Sequence, residues 1–137
     1  MLFRSNNPNE ATVVLRCSAG SSVQDYRAIS IRSSPRGNSQ PATEEIIRQV
    51  LEALVKAFSA NEAKGLESGV VDLAGRKSGV VLLEMKVGGV SRTSVIAFIL
   101  AGDRLYEVNP ECASANFDRY ADTFARILTS VKFKEST

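Results

Sequence analysis

The sequence predicts one α+β domain: an antiparallel β-sheet of about six strands sandwiched by helices, in the order ββαββββα. Three observations carry that prediction. Two stretches repeat their apolar residues with helical period, several short apolar runs separated by glycine turns lie between them, and a length of 137 residues suits a single core. A chain of this size buries roughly two-thirds of its unfolded surface, so it needs neither disulfides nor a structural metal to hold together.

The upstream strands are read at residues 11–17 and 26–33. In the second, Ile29 and Ile31 alternate with Ser30 and Arg32, the pattern of a strand with one buried face. Residues 33–40 are rich in Ser, Pro and Gly and form a loop into the first helix, expected over residues 43–61. There Ile46, Val50, Leu54 and Phe58 recur every four positions, with Ile47, Leu51 and Val55 beside them. Thr43 is placed to cap this helix, and Glu44 and Glu45 sit where the helix dipole favours acids. Glu44, Arg48, Glu52 and Lys56 line the opposite side with alternating charge, the signature of a solvated helix face.

Four more strands are expected at 69–74, 80–87, 93–101 and 104–109. Gly75-Arg76-Lys77-Ser78-Gly79, Gly88-Gly89 and Gly102-Asp103 mark the turns between them. Connections this short join antiparallel neighbours, hence a meander. The second helix is expected over residues 114–130, capped by Ser114, with Phe117, Tyr120, Phe124 and Leu128 on its buried side. Each helix and the sheet must bury an apolar face, which the packing of both helices on the sheet accomplishes.

Against this patterned fold stands a sparse chemical inventory. The chain has no histidine, which excludes a Ser-His-Asp triad, a Cys-His pair and imidazole metal sites. No calcium loop is present. The glycine-rich segments match no phosphate-loop signature and do not feed a helix N-terminus, so they are read as turns. No catalytic residue, cofactor site or metal site is therefore assigned. Lys and Arg total 17 against 15 acids, a net +2 that argues against nucleic acid as a partner. No apolar run reaches the length of a membrane helix, and residues 1–8 lack the apolar segment of a signal peptide. The compartment is accordingly left open between the cytoplasm and an exported mature domain.

Two features merit attention as sites. Arg27, Arg32 and Arg36 lie close in sequence, and with Arg4 and Arg16 they outnumber Glu10 and Asp25 in the first 37 residues. They are candidates for contact with an acidic partner, although such charges also keep an edge strand soluble. Cys112 precedes a helix, where the dipole can lower a thiol pKa, while Glu111 beside it acts the other way. It is the candidate reactive thiol; otherwise it is a small core side chain. Cys17 falls at a strand end and is expected in the core, and spacing alone does not decide whether it pairs with Cys112.

The segment Gly102-Asp103-Arg104-Leu105-Tyr106, followed by Phe117-Asp118-Arg119-Tyr120 and by Phe124 to Phe133, resembles the C-terminal part of the PsbP-like, DcrB-like and Ran-binding Mog superfamily. The resemblance spans about residues 69–133 and rests on packing motifs. Val131 stands where an aromatic is usual, and the chain has no Trp. It implies an antiparallel sheet sandwiched by helices in a mostly non-enzymatic family of extrinsic subunits, GTPase-binding proteins and chaperones. No site residues carry over from it.

The sequence-level expectation is a non-catalytic protein-binding module of the adaptor, assembly-factor or chaperone kind. One alternative is a carrier of a small apolar ligand or lipid, held between sheet and helices. Another is a thiol-dependent activity at Cys112. A protein partner is expected, and an exposed edge strand would also admit a homodimer.

Overall fold

A computed structural model of the chain describes residues 11–16, 27–37, 40–61 and 63–133. Six strands and two α-helices follow in the order ββαββββα: β1 (Ala11–Arg16), β2 (Arg27–Pro35), α1 (Glu44–Ala60), β3 (Lys64–Leu73), β4 (Arg76–Val87), β5 (Val90–Ala101), β6 (Arg104–Ala113) and α2 (Phe117–Thr129). All six strands form one antiparallel sheet in the spatial order β1-β2-β6-β5-β4-β3. Strands β3 to β6 are the predicted meander. The join that periodicity leaves open is β2 against β6, which pairs Arg27 with Cys112 and Ile31 with Val108.

The helices lie on opposite faces of the sheet, and alternation along β5 sorts its residues between them. Phe98 and Leu100 pack with Ile47 and Leu51 of α1, together with Val81 and Leu83 of β4. Val95, Ala97 and Ile99 pack instead with Phe124 and Leu128 of α2, together with Val108 and Cys112 of β6. With a side-chain period of two, one strand thus serves both cores. We call the α2 side the front of the sheet and the α1 side the back. The segment after α2 returns over the front, where the Phe133 and Tyr106 ring centroids are 4.8 Å apart and the Arg76 guanidinium lies over Phe133.

Thr43 caps α1 as its sequence position predicts: its Oγ1 accepts the Ile46 N–H at 3.3 Å. Glu44 and Arg48 form the expected i, i+4 pair at 2.7 Å, both exposed. Such a pair contributes only a few tenths of a kcal/mol, about 0.3–0.5.

Several boundaries differ from the sequence reading. Segment 75–79 is not a turn. The chain reverses at Ala74–Gly75, both with positive φ (52° and 72°), and Arg76 to Gly79 already belong to β4. Polar residues masked this part of the strand, although Ser78 is fully buried and bonds the Arg76 carbonyl. Gly79 serves packing rather than turning. A Cβ there would stand 2.3 Å from the Phe98 ring, so the missing side chain is the seat for that aromatic. Strand β3 begins at Lys64 rather than at 69, with a pairing irregularity between Gly65 and Glu67. Strand β2 continues to Pro35.

Strand β6 runs through Pro110 to Ala113, past the expected end at 109. Proline gives no N–H to a ladder. The β5–β6 register correspondingly breaks off after Ser94↔Glu111 and resumes at Ala97↔Val108. Ser114 does not cap α2. It starts a short 3-10 turn, and its hydroxyl instead accepts from Thr93 at 2.8 Å.

Of the two described sheet edges, β3 carries exposed Lys64, Glu67 and Asp72 along with its irregularity. Charges and a break in register are how edge strands resist pairing with another chain. No helix among the described residues is long and apolar enough to cross a membrane. Cys17 and Arg4 lie outside the described residues.

Candidate functional site

The structure separates the three candidate arginines. Arg27 opens β2 and belongs to the front of the sheet. Arg32 belongs to the back, level with Glu107 in the neighbouring strand. Arg36 lies past the far end of β2, where its Nη1 donates to the Gly102 carbonyl at 3.1 Å and its backbone N–H to that of Asp103. From Arg27 to Arg36 the extended chain covers about 30 Å. They do not form one patch, and Arg27 stands beside a concave surface.

Cys112 is a free thiol with no exposed surface, on β6 rather than at the start of α2. Burial, and secondarily the charge of Glu111, push its pKa up to about 11. Nucleophilic chemistry requires the thiolate, which this site disfavours. The chemistry of the position is that of a small core side chain in the front cluster with Val108 and Phe124.

The sheet itself is more informative. Six strands at a spacing of about 4.8 Å place the outer strand axes roughly 24 Å apart, whereas one helix with its side chains is about 10–12 Å wide. Neither helix can cover its face. On the back, α1 packs over β3 and β4; beyond it β2, β5 and β6 carry the polar Ser30, Arg32, Ser94, Glu107, Asn109 and Glu111 with the small, buried Ala28 and Ala113 among them, and Met85 and Val87 are exposed on the same face beside the β4–β5 turn. Ser94 Oγ donates to Glu111 Oε2 at 3.1 Å across this surface. Such polar residues require no cover.

The front is different. Helix α2 packs over β6 and β5, and apolar side chains continue on both sides of it. Toward β3 lie Val71, Val80, Leu82 and Val95, lining a shallow depression of about 270 Å³. Toward β1 lie Ile29 and Ile31, with Leu15 and Val13 at the register positions opposite them. Ile31 keeps 39% of its surface exposed and Val71 38%.

Between β2 and α2 the front drops into a groove of about 370 Å³. Ile29 forms one wall, and Phe124, Ile127 and Thr123 of α2 form the other. At its end Arg27 Nη1 donates to the Tyr120 hydroxyl at 2.5 Å, and the guanidinium carbon lies 5.1 Å from the Tyr120 ring centroid. Arg119 approaches the same ring at 5.8 Å. Tyr120 is thus flanked by two cations, a favourable arrangement for an aromatic face. Sequence reasoning assigned Tyr120 to the helix core and gave Ile29 and Ile31 no role beyond strand pattern. The missing fact was strand order, since Arg27 and Tyr120 are 93 residues apart.

No family model matches the chain, and no curated protein matches it in sequence. Solved structures do match in fold. A Pseudomonas aeruginosa protein of unknown function, PA94, superposes with a TM-score of 0.67 at 8% identity, over 99% of this chain and 98% of that one. The cyanobacterial PsbP of Synechocystis, CyanoP, superposes with a TM-score of 0.59 at 12% identity, over 95% of this chain and 89% of that one. The fold is thus of the PsbP-like type that the C-terminal motifs resemble. At these identities the likeness concerns architecture alone.

Proposed function

We propose that the chain is a non-catalytic protein-binding module, of the adaptor, assembly-factor or chaperone kind, that holds its partner against the front of the sheet. The observation behind this reading is the contrast between the two incompletely covered faces. Where α1 leaves β2 and β6 open on the back, the large side chains there are polar, and the exposed apolar ones on that face, Met85 and Val87, sit beside the β4–β5 turn; where α2 leaves the front open, apolar side chains lie on both sides of it. Large apolar side chains left on a surface, if contiguous, mark a place where something else binds. A chain without histidine is also poorly equipped for the commonest acid–base and nucleophilic mechanisms.

The partner would bury Ile31 and Ile29 as apolar anchors, with Arg27 and Arg119 at the rim favouring acidic residues opposite them. A crosslinking pull-down from the native host tests this with three baits: the natural chain, Ile31→Glu and Arg32→Glu. The reading expects a specific protein with the natural chain and with Arg32→Glu, and its loss with Ile31→Glu. Retention of that protein by Ile31→Glu, or loss only with Arg32→Glu, would place the contact elsewhere and defeat the reading.

A further inference from the structure

The groove between β2 and α2 shares Ile29 and Arg27 with the partner surface proposed above, and it has a polarity of its own. Its walls are mostly apolar, from Ile29, Phe124 and Ile127 with Thr123 among them, and its charged group lies at one end, where the Arg27 guanidinium meets the Tyr120 hydroxyl. None of the described residues lining it is acidic. Other depressions among the described residues differ. The one beside β3 includes Glu67, and the one between α1 and β3 mixes Arg48 and Lys56 with Glu52. A volume of about 370 Å³ is at the small end of the range for small-molecule sites, which are mostly apolar with a few fixed polar groups. A guanidinium offers N–H donors in a planar fork that matches a carboxylate.

From this arrangement we infer that the β2–α2 groove binds a small amphipathic monocarboxylate, its alkyl tail along Ile29, Phe124 and Ile127 and its carboxylate on Arg27. The tail takes the place of water on the apolar walls. The carboxylate receives charge-assisted hydrogen bonds at the one end where the groove supplies cationic donors. The head group fixes orientation, and tail length sets affinity until the groove is filled.

The test is titration of the isotope-labelled, full-length protein with octanoate, followed by amide chemical shifts. Octan-1-ol and octylamine serve as ligands with altered heads, and propionate as one with a truncated tail. The inference predicts saturable shifts centred on residues 27–29 and 120–127. It predicts weaker binding of octanol and propionate and none of octylamine. Arg27→Gln should lower octanoate affinity about tenfold, the effect of losing a hydrogen bond to a charged group. Because Arg27 also bonds Tyr120, a second variant guards against a folding defect: Thr123→Phe, at an exposed helix position, should fill the groove and abolish binding while leaving the melting temperature unchanged. Absence of saturable shifts would overturn the inference, as would shifts centred on the depression beside β3 or equal binding of octanol and octanoate. A peptide pairing an acidic residue with an apolar one, if it binds this groove where octanoate does not, would equally overturn it in favour of a polypeptide occupant. The partner reading, tested through Ile31, stands or falls separately.

Discussion

Replacing Gly79 with alanine should destabilise the protein, although alanine is ordinarily the better strand residue by about 0.5–1 kcal/mol. The added Cβ would lie 2.3 Å from two atoms of the Phe98 ring and 3.1 Å from Leu51 Cδ2. Ordinary contact begins near 3.4 Å, so the ring must retreat by about 1 Å into a close-packed interior. Phe98 has no exposed surface and is held by Ile47 and Leu51 of α1. Overpacking of this kind costs about 1–3 kcal/mol, which outweighs the gain in strand preference and leaves a net loss of roughly 1–2 kcal/mol. In urea unfolding, with m-values of about 1–3 kcal/mol/M, the midpoint should fall by roughly 0.5–1 M. Phe98→Leu creates room at the same place. The double variant should therefore be more stable than the two single losses predict by addition, with a coupling of about 1 kcal/mol or more. A Gly79→Ala protein as stable as the natural one, or strict additivity in the cycle, would refute the seat that Gly79 is held to provide.

Ala74 occupies a left-handed turn position that costs an L-residue roughly 1–2 kcal/mol. Ala74→Asn, a residue that tolerates this conformation, should accordingly raise the urea midpoint by the equivalent of about 0.5–1 kcal/mol. Thr43→Ala removes the cap on α1 and should cost about 1 kcal/mol by the same assay. Cys112 should resist a disulfide reagent at pH 8 in native buffer and react fully in denaturant, with the native rate following unfolding. Folding raises this thiol from 9.0 to about 11, so it favours the neutral form. Its contribution to stability is whole below about pH 9 and declines as the pH rises toward 11. Unfolding free energy followed between pH 8 and 11 should fall less steeply in Cys112→Ala than in the natural protein.

What was legible in the sequence was whatever a local period or a local turn encodes. Helix α1 declares itself from its N-cap to its apolar stripe, and the Gly88-Gly89 and Gly102-Asp103 hairpins are where their residues place them. The first half of β4 was hidden because Arg76, Lys77 and Ser78 look like loop, whereas burial of Ser78 and the seat at Gly79 depend on a phenylalanine 19 residues away. The strand expected over 104–109 ends one residue before Pro110, and the structure carries it on through that proline where the β5–β6 ladder lapses. The arginines that appear grouped in sequence are dispersed by the alternation and the length of β2. Conversely, the groove was invisible, because it depends on β2 lying beside β6, and strand order over that distance has no local signature. The apolar front was half visible: Ile29 and Ile31 marked a buried face, and only the placement of α2 shows that no helix among the described residues covers it.

Positions 31 and 32 provide the most direct test of the central claim, since adjacent residues of β2 face opposite sides of the sheet. A photo-crosslinking amino acid would be placed at each in turn, and adducts from native host cells compared. The account predicts a discrete partner adduct from position 31 and none from position 32. Adducts of equal yield from both positions, or from position 32 alone, would contradict an apolar front that binds a partner.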